Sequence, residues 1–349
     1  MAQLMDPNST PPIRDAWYYA LPGAQLKPGQ MLAKTVLGEP VLLARDSAGQ
    51  AFALVDICPH RGIPLHYGKF DGKDVECCYH GWRFCSSGAC TLIPSLMPEQ
   101  QIETGKVKVR AYPLREIQGG IWLFFGEHPE RAPDVPVMAG FEDRVPDMVE
   151  TMLFEGGIDH AVVGLMDPSH GPFVHRSWFW RSGKVLKDKA KQFEPSPWGF
   201  TMTRHSPASN TRAYKILGGK PETEISFRLP GVRWEDIKVG RHRMAQLTTL
   251  TPIDDHHTEI TQSVFWTMPW LTLLRPLLRP IARQFLGQDR DVMVRQMEGL
   301  KHQPQLLLLG DPDVQARWYM RLKLEFLRAQ EEAREFVNPV KPRLLKWRS

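Results

Sequence analysis

The alternation of apolar and polar positions divides the chain into stretches of different character. Over 16–125, short apolar runs alternate with turn residues, which predicts short β-strands. Residues 50–57 form an apolar run ending at a cysteine. The stretch 82–90 carries the Ser-Ser-Gly signal of a hairpin, and 121–125 predicts a buried closing strand. Ahead of them, residues 1–14, with Asn8, Ser9, Pro11 and Pro12, read as a flexible lead-in. Pro129, Pro133 and Pro136 interrupt regular structure and predict a linker. Beyond it, 157–163 is apolar. Three stretches, about 224–230, 242–251 and 257–267, alternate with period two and are rich in β-branched residues, so they predict strands. Residues 270–335 are helical in pattern. The predicted organisation is a flexible segment over 1–14, an all-β domain over 15–130, and an α+β domain over 131–349 with helices segregated around a sheet.

Composition narrows the class. The chain has 349 residues, 42% apolar and 24% charged, enough to bury a substantial core and unlike a disordered or membrane protein. A net charge of +5 is too weak an excess to argue for nucleic acid, though it would suit an acidic protein partner. The N-terminus shows no basic segment followed by an apolar one, so no export signal is expected. The most lipid-like stretch, 268–286, is broken by Arg275, Pro276, Arg279, Pro280 and Arg283, and packing on the sheet explains its amphipathic pattern better than membrane contact. Five cysteines without an export signal argue for the reducing cytoplasm.

Those cysteines, Cys58, Cys77, Cys78, Cys85 and Cys90, all fall within one short region. Cys58-Pro59-His60 and Cys77-Cys78-Tyr79-His80 each present one thiolate and one imidazole at a loop tip. Structural zinc accepts two cysteines and two histidines, but its arms usually pair like with like. Mixed arms suit two irons, with Cys58 and Cys77 on one and His60 and His80 on the other, which is the Rieske [2Fe–2S] ligation pattern. Gly62 and Gly81 would let backbone N–H groups approach the bridging sulfides. Cys78 reads as a free buried thiol, and Cys85 and Cys90 as small apolar residues in or near the hairpin.

A second constellation is Asp167-x2-His170-x4-His175. Imidazoles five residues apart on a regular helix would sit roughly 140° apart and could not share a metal. Pro168, Gly171 and Pro172 supply a break that brings them together. With a carboxylate they would form the 2-His-1-carboxylate site of non-haem Fe(II). Asp167 before Pro168 also suits a helix N-cap. The third ligand is sought on a late helix, where Gln288-Asp289-Arg290-Asp291 offers Asp289 or Asp291; both also suit a first helical turn. Asp159, His160 and His205 are candidate lining residues, while His256 and His257 beside Asp254 and Asp255 read as an exposed turn. Neither G-x-G-x-x-G nor a P-loop occurs, so electrons are expected from a separate protein.

The segments CPHRG and CYHGWRF resemble the Rieske domain of the Rieske non-haem iron oxygenases, and the Asp-His-His motif is similar to their mononuclear-iron motif, in the same order. The resemblance spans roughly 15–300 and is to the alpha subunit of the homotrimeric monooxygenase/demethylase type. It implies an N-terminal all-β Rieske domain and a C-terminal helix-grip (START-like) antiparallel sheet with helices. It implies a low-potential cluster, Ile63 standing where respiratory Rieske proteins carry a further cysteine. It implies His170 and His175 as iron ligands, with Asp289 matching the third-ligand position better than Asp291. Asp167 would then bridge His80 of an adjacent chain to His170 in a head-to-tail trimer. Gly164 stands where many relatives have Asn. O2 would be the co-substrate, with electrons from an NAD(P)H-dependent reductase or a ferredoxin docked near Arg61, Lys69 and Arg83. The substrate would be an apolar aromatic or polycyclic molecule, hydroxylated or demethylated, with lining candidates Leu165, Met166, Phe173, Trp178, Phe179, Trp180, Phe265 and Trp266. Two other readings remain: a Rieske electron-transfer protein whose second domain binds a ligand or partner, and a zinc-stabilised lipid-binding module.

Overall fold

The structure, a computed structural model, describes residues 10–100, 102–175, 186–206 and 220–349. They form two compact units, Arg14–Val135 and Pro136–Ser349, with residues 10–13 belonging to the second. Residues 1–9 of the N-terminal lead-in lie outside the described residues. Over 10–14 the chain is anchored: Ile13 is buried, Lys323 Nζ donates to the Thr10 carbonyl at 3.3 Å, and Arg14 pairs with Glu39 at 2.7 Å.

In the first unit the strands are β1 (Ala16–Pro22), β2 (Gln30–Val36), β3 (Glu39–Arg45), β4 (Ala51–Val55), β5 (Lys69–Phe70), β6 (Val75–Glu76), β7 (Arg83–Phe84), β8 (Cys90–Leu92), β9 (Ala111–Tyr112), β10 (Leu114–Ile117) and β11 (Gly120–Phe125). They make three antiparallel sheets, ordered β1-β11-β10, β2-β3-β4-β9 and β5-β6-β7-β8. The near-continuous apolar strand β11, GIWLFF, is buried along its whole length, as its sequence predicts. Its aromatics interleave with β1, Trp17 against Phe124 and Tyr19 against Trp122, each at 5.3 Å between ring centres. A second core joins Leu42, Leu54, Leu65, Val75 and Phe84 to Cys58, Cys77 and Cys90. The two loops that carry the Cys-His pairs are thus rooted in close-packed apolar side chains, and emptying a position such as Phe84 would cost about 3–5 kcal/mol.

The second unit is built on an eight-stranded antiparallel sheet. Its strands are β12 (Met148–Glu155), β13 (Asp188–Ser196), β14 (Gly199–His205), β15 (Pro221–Arg228), β16 (Val232–Val239), β17 (His242–Asp254), β18 (His257–Trp266) and β19 (Arg343–Arg348), in the order β12-β18-β17-β16-β15-β14-β13-β19. Helices α1 (Ile158–Met166) and α2 (Gly171–Val174) follow β12; the helices Pro269–Leu273, Arg275–Leu300 and Val314–Glu331 follow β18.

Directly paired residues in an antiparallel ladder share a face, so register assigns the sides. One face carries the helices. Phe193, Phe200 and Phe227 pack on Trp318 and Tyr319 of the last helix, and Glu150 accepts from Arg279 of the long helix at 2.7 Å. Met148, Val264 and Trp266 meet Leu278 and Ala282 on the same side. This is the helix-grip arrangement implied by the resemblance. The amphipathic stretch 268–286 is split between two helices: Leu278 and Ala282 face the sheet, whereas Trp270, Leu273 and Leu277 are exposed. Among the described residues no helix is long and apolar enough to cross a membrane.

Candidate metal centres

The two Cys-His loops close with the same pair of backbone hydrogen bonds, although the histidine stands two residues after Cys58 and three after Cys77. In the first, Cys58 N–H donates to the Ile63 carbonyl at 2.8 Å and Gly62 N–H to the Cys58 carbonyl at 2.9 Å. In the second, Cys77 N–H donates to Trp82 at 2.8 Å and Gly81 N–H to Cys77 at 3.0 Å. Each loop closes through a glycine at positive φ, +73° at Gly62 and +69° at Gly81, where a side chain would be strained. The sulfurs are buried and reduced, and the imidazoles point outward: His60 is half-buried and His80 exposed. The His60 and His80 ring centres lie 4.4 Å apart, and His60 stacks on Trp82 at 4.5 Å with 5° between planes.

This donor set suits a metal cluster better than free side chains. Burial, with Cys77 alongside, pushes the Cys58 thiol up to about 11 against the pull of the His60 and Arg61 backbone amides, so the thiolate needs a cation beside it. The Nδ1 of His60 is buried without a hydrogen-bond partner among the described residues. Two buried sulfurs, one half-buried imidazole and one exposed imidazole match the asymmetric demand of a Rieske [2Fe–2S] group. Cys78, expected as a buried thiol, is exposed: the chain turns outward at the loop tip, and only Cys77 points into the core. Cys90 is buried, and Cys85 is half-buried with its Sγ 3.1 Å from Ser87 Oγ.

In the second unit α1 ends at Asp167, and Pro168 prevents its continuation. A turn follows in which Asp167 Oδ1 accepts from Ser169 N–H at 2.7 Å. The four-residue α2, with Pro172 in its first turn, then carries His170 and His175 to one side. The long helix brings Asp289 opposite them. Asp289 Oδ1 lies 3.4 Å from His175 Nε2 and 3.7 Å from His170 Nε2, and the ligand atoms of all three residues fall within 4.8 Å of one another. Two imidazoles and one carboxylate at this spacing fit an octahedral ion with open positions. Burial pushes the Asp289 carboxyl above its usual range despite both imidazoles. Burial opposes protonation of His170, yet the Asp167 and Asp289 carboxylates outweigh it and hold that imidazole above its ordinary value. Asp291 is exposed and paired with Arg290 at 2.9 Å, outside the cluster.

Two neighbours of His175, and a polar row on the sheet, have no motif of their own in the sequence. The His175 ring stacks on Phe285 at 3.7 Å, and its Nδ1 lies 3.0 Å from Gln288 Oε1. Phe285, Gln288 and Asp289 share one helix face by their spacing, a signal legible only once the ligand helix is known. On the helix-bearing sheet face, Arg233, Thr248 and Gln262 lie side by side, with Glu235 and Gln246 in the next row. Their alternation within strands reads as a solvent-facing pattern, which hid them.

Other expected residues are placed elsewhere. Asp159 is buried in an ion pair with Lys323 at 2.7 Å and also accepts from the Tyr319 hydroxyl. His160 is buried on α1. His205 lies on the helix-bearing face across from Thr223, with its imidazole pKa lowered by burial. His256 and His257 occupy the β17–β18 turn, where His257 pairs with Asp254. Met166 and Trp266 are core and Leu165 is half-buried, whereas Phe173 is exposed. Phe265 turns to the opposite sheet face, against Phe141. Trp178, Phe179 and Trp180 lie outside the described residues.

Residues 16–113 match the Rieske [2Fe-2S] domain model, and 164–334 match that of the vanillate O-demethylase oxygenase C-terminal domain. The chain belongs to the Rieske non-haem iron oxygenases, a family of oxidoreductases. It is 26% identical over 345 residues to the 4beta-methylsterol monooxygenase of Methylococcus capsulatus, covering 93% of this chain and 90% of that one. It is 28% identical to the chloroplastic chlorophyllide a oxygenase of Chlamydomonas reinhardtii, covering 82% of this chain but only 44% of that protein. The fold is that of a dicamba monooxygenase solved with 3,6-dichlorosalicylic acid, with a TM-score of 0.73 at 21% identity over 92% of this chain and 99% of that one.

Proposed function

We propose that this chain is the oxygenase component of a multicomponent Rieske system. It takes electrons from a separate NAD(P)H-dependent reductase or ferredoxin and uses O2 to hydroxylate or oxidatively demethylate an apolar aromatic or polycyclic molecule. The observation that carries this is the convergence of His170, His175 and Asp289 in a chain that also holds a Rieske domain. Cys58, His60, Cys77 and His80 would hold the cluster, and His170, His175 and Asp289 the Fe(II). When bound, the cluster supplies single electrons and the iron supplies O2 activation.

The remaining chemistry falls to the chain's own side chains. The buried cysteines keep one side of the cluster site dry, while exposed His80 offers the outward route. Asp167, 38% exposed with Oδ2 3.7 Å from His170 Nδ1, would accept from His80 of a neighbouring copy in a head-to-tail homotrimer. Arg61, Lys69 and Arg83 would steer an acidic donor protein. Arg233, Glu235, Gln246, Thr248 and Gln262 would hydrogen-bond an oxygen substituent of an otherwise apolar ring system. Five free cysteines suit a reducing compartment such as the cytoplasm.

The test is whether oxidation of the reduced cluster by O2 depends on the second site. Protein loaded with iron should reoxidise faster when a methoxyarene or a sterol from a substrate panel is present, and His175→Ala should lose that acceleration while keeping its cluster spectrum. Equal rates in both proteins with every compound would make this an electron-transfer protein instead.

A further inference from the structure

We infer that Gln288 is a positioning residue that sets the tautomer and ring orientation of His175, so that a single face of the long helix supplies one metal ligand and holds another. The inference rests on the reading of His170, His175 and Asp289 as a metal site.

An imidazole can present Nε2 to a metal only if that nitrogen carries no proton, so a neutral ring must keep its proton on Nδ1. A buried Nδ1–H needs an acceptor, and His175 is only 8% exposed on its side chain. Gln288 Oε1, at 3.0 Å, provides it. The ring plane is fixed separately by Phe285, stacked at 3.7 Å with 17° between planes. With both contacts made, His175 Nε2 is directed toward Asp289 Oδ1 at 3.4 Å. His170 is held differently: its Nδ1 faces the Asp167 carboxylate, with Oδ2 at 3.7 Å, rather than an amide oxygen at hydrogen-bond length. The two histidines are therefore held unequally. The long helix thus supplies Asp289 and clamps His175 through Gln288 and Phe285, while His170 and His175 both enter the cluster from the two ends of α2.

The choice of an amide has a consequence. A glutamine side chain can rotate to offer NH2 instead of oxygen, which would favour the wrong tautomer, whereas a carboxylate only accepts. Metal affinity should therefore follow the order Gln288→Glu at or above wild type, with Gln288→Leu well below. Removal of such outer partners typically costs about 10–100-fold in metal affinity.

The experiment measures Fe(II) affinity anaerobically by chelator competition in cluster-loaded full-length protein, with thermal unfolding and the cluster absorption spectrum recorded alongside. Gln288→Leu should bind Fe(II) about 10–100-fold more weakly with both other readouts unchanged, and Gln288→Glu should restore affinity. Wild-type affinity in Gln288→Leu, or equal loss in Gln288→Glu, would overturn the inference. Asp289→Ala separates the two levels. If it loses Fe(II) while Gln288→Leu does not, only the role of Gln288 fails; if it binds normally, the metal site itself is wrong.

Discussion

At the scale of single residues, the cluster loops combine buried sulfur with surface nitrogen. Cys77 sits in the core and His80, three residues on, is exposed, so the loop must reverse sharply, and Gly81 at positive φ does this. A Cβ at Gly81 would be strained and would also approach Pro94 at 3.1 Å. Gly81→Ala should therefore cost roughly 1–2 kcal/mol, read by thermal unfolding, with faster loss of cluster absorbance. Cys77→Ser should abolish labile sulfide, while Cys85→Ser should leave it intact. Asp167→Asn keeps the side-chain shape but removes a charge. It should leave both metal contents unchanged and lower turnover by about 100-fold, at or beyond the upper end for outer partners. Full activity in that variant would remove Asp167 from the electron route. These residues were legible because cysteine and histidine are scarce and their spacing chemically specific. Gln288 and Phe285 were not, because glutamine and phenylalanine occur everywhere and gain meaning only beside His175.

At the scale of elements, the segment Asp167–His175 follows directly on α1, and α1 is tied to the last helix by a buried pair. Lys323, 2% exposed, reaches both oxygens of Asp159 at 2.8 and 2.7 Å. Removing one partner strands a buried charge, so Lys323→Met should cost about 3–5 kcal/mol, and Lys323→Met with Asp159→Asn should recover most of it. Neither residue's spacing announces this, since the partners are 164 positions apart. The sheet was half legible for a related reason. Strand β15 alternates apolar and polar side chains along its length and β17 and β18 do so in part, but β16, VRWEDIKV, mixes charges on both faces, and edge-side β13, DKAKQFEPS, reads as a loop. Charge pairing across strands explains the polar residues of β16. Burial alone would raise the Asp236 carboxyl, yet hydrogen bonds from Arg243 at 2.6 Å and from Arg204 hold it below its usual range. A depressed pKa contributes stability above the unfolded value and loses it as pH falls through the folded one. Asp236→Asn should thus be about 1–2 kcal/mol less stable at neutral pH, and the gap to wild type should close in acid.

At the scale of the whole molecule, one chain carries both a Rieske domain and a cluster of two imidazoles and a carboxylate, and the proposed oxygenase needs both. The order of these parts was legible because each has its own motif; the substrate was not, because aromatic and apolar runs serve packing as readily as recognition. The proposed trimer should sediment at about three times the chain mass of 39.9 kDa, and an active monomer would contradict the Asp167 bridge. The most direct test of the central claim is the content of iron, zinc and acid-labile sulfide in anaerobically purified protein. About three irons and about two sulfides per chain are expected, falling to about two irons in His175→Ala with sulfide unchanged. Zinc without sulfide would contradict the central claim at its first step.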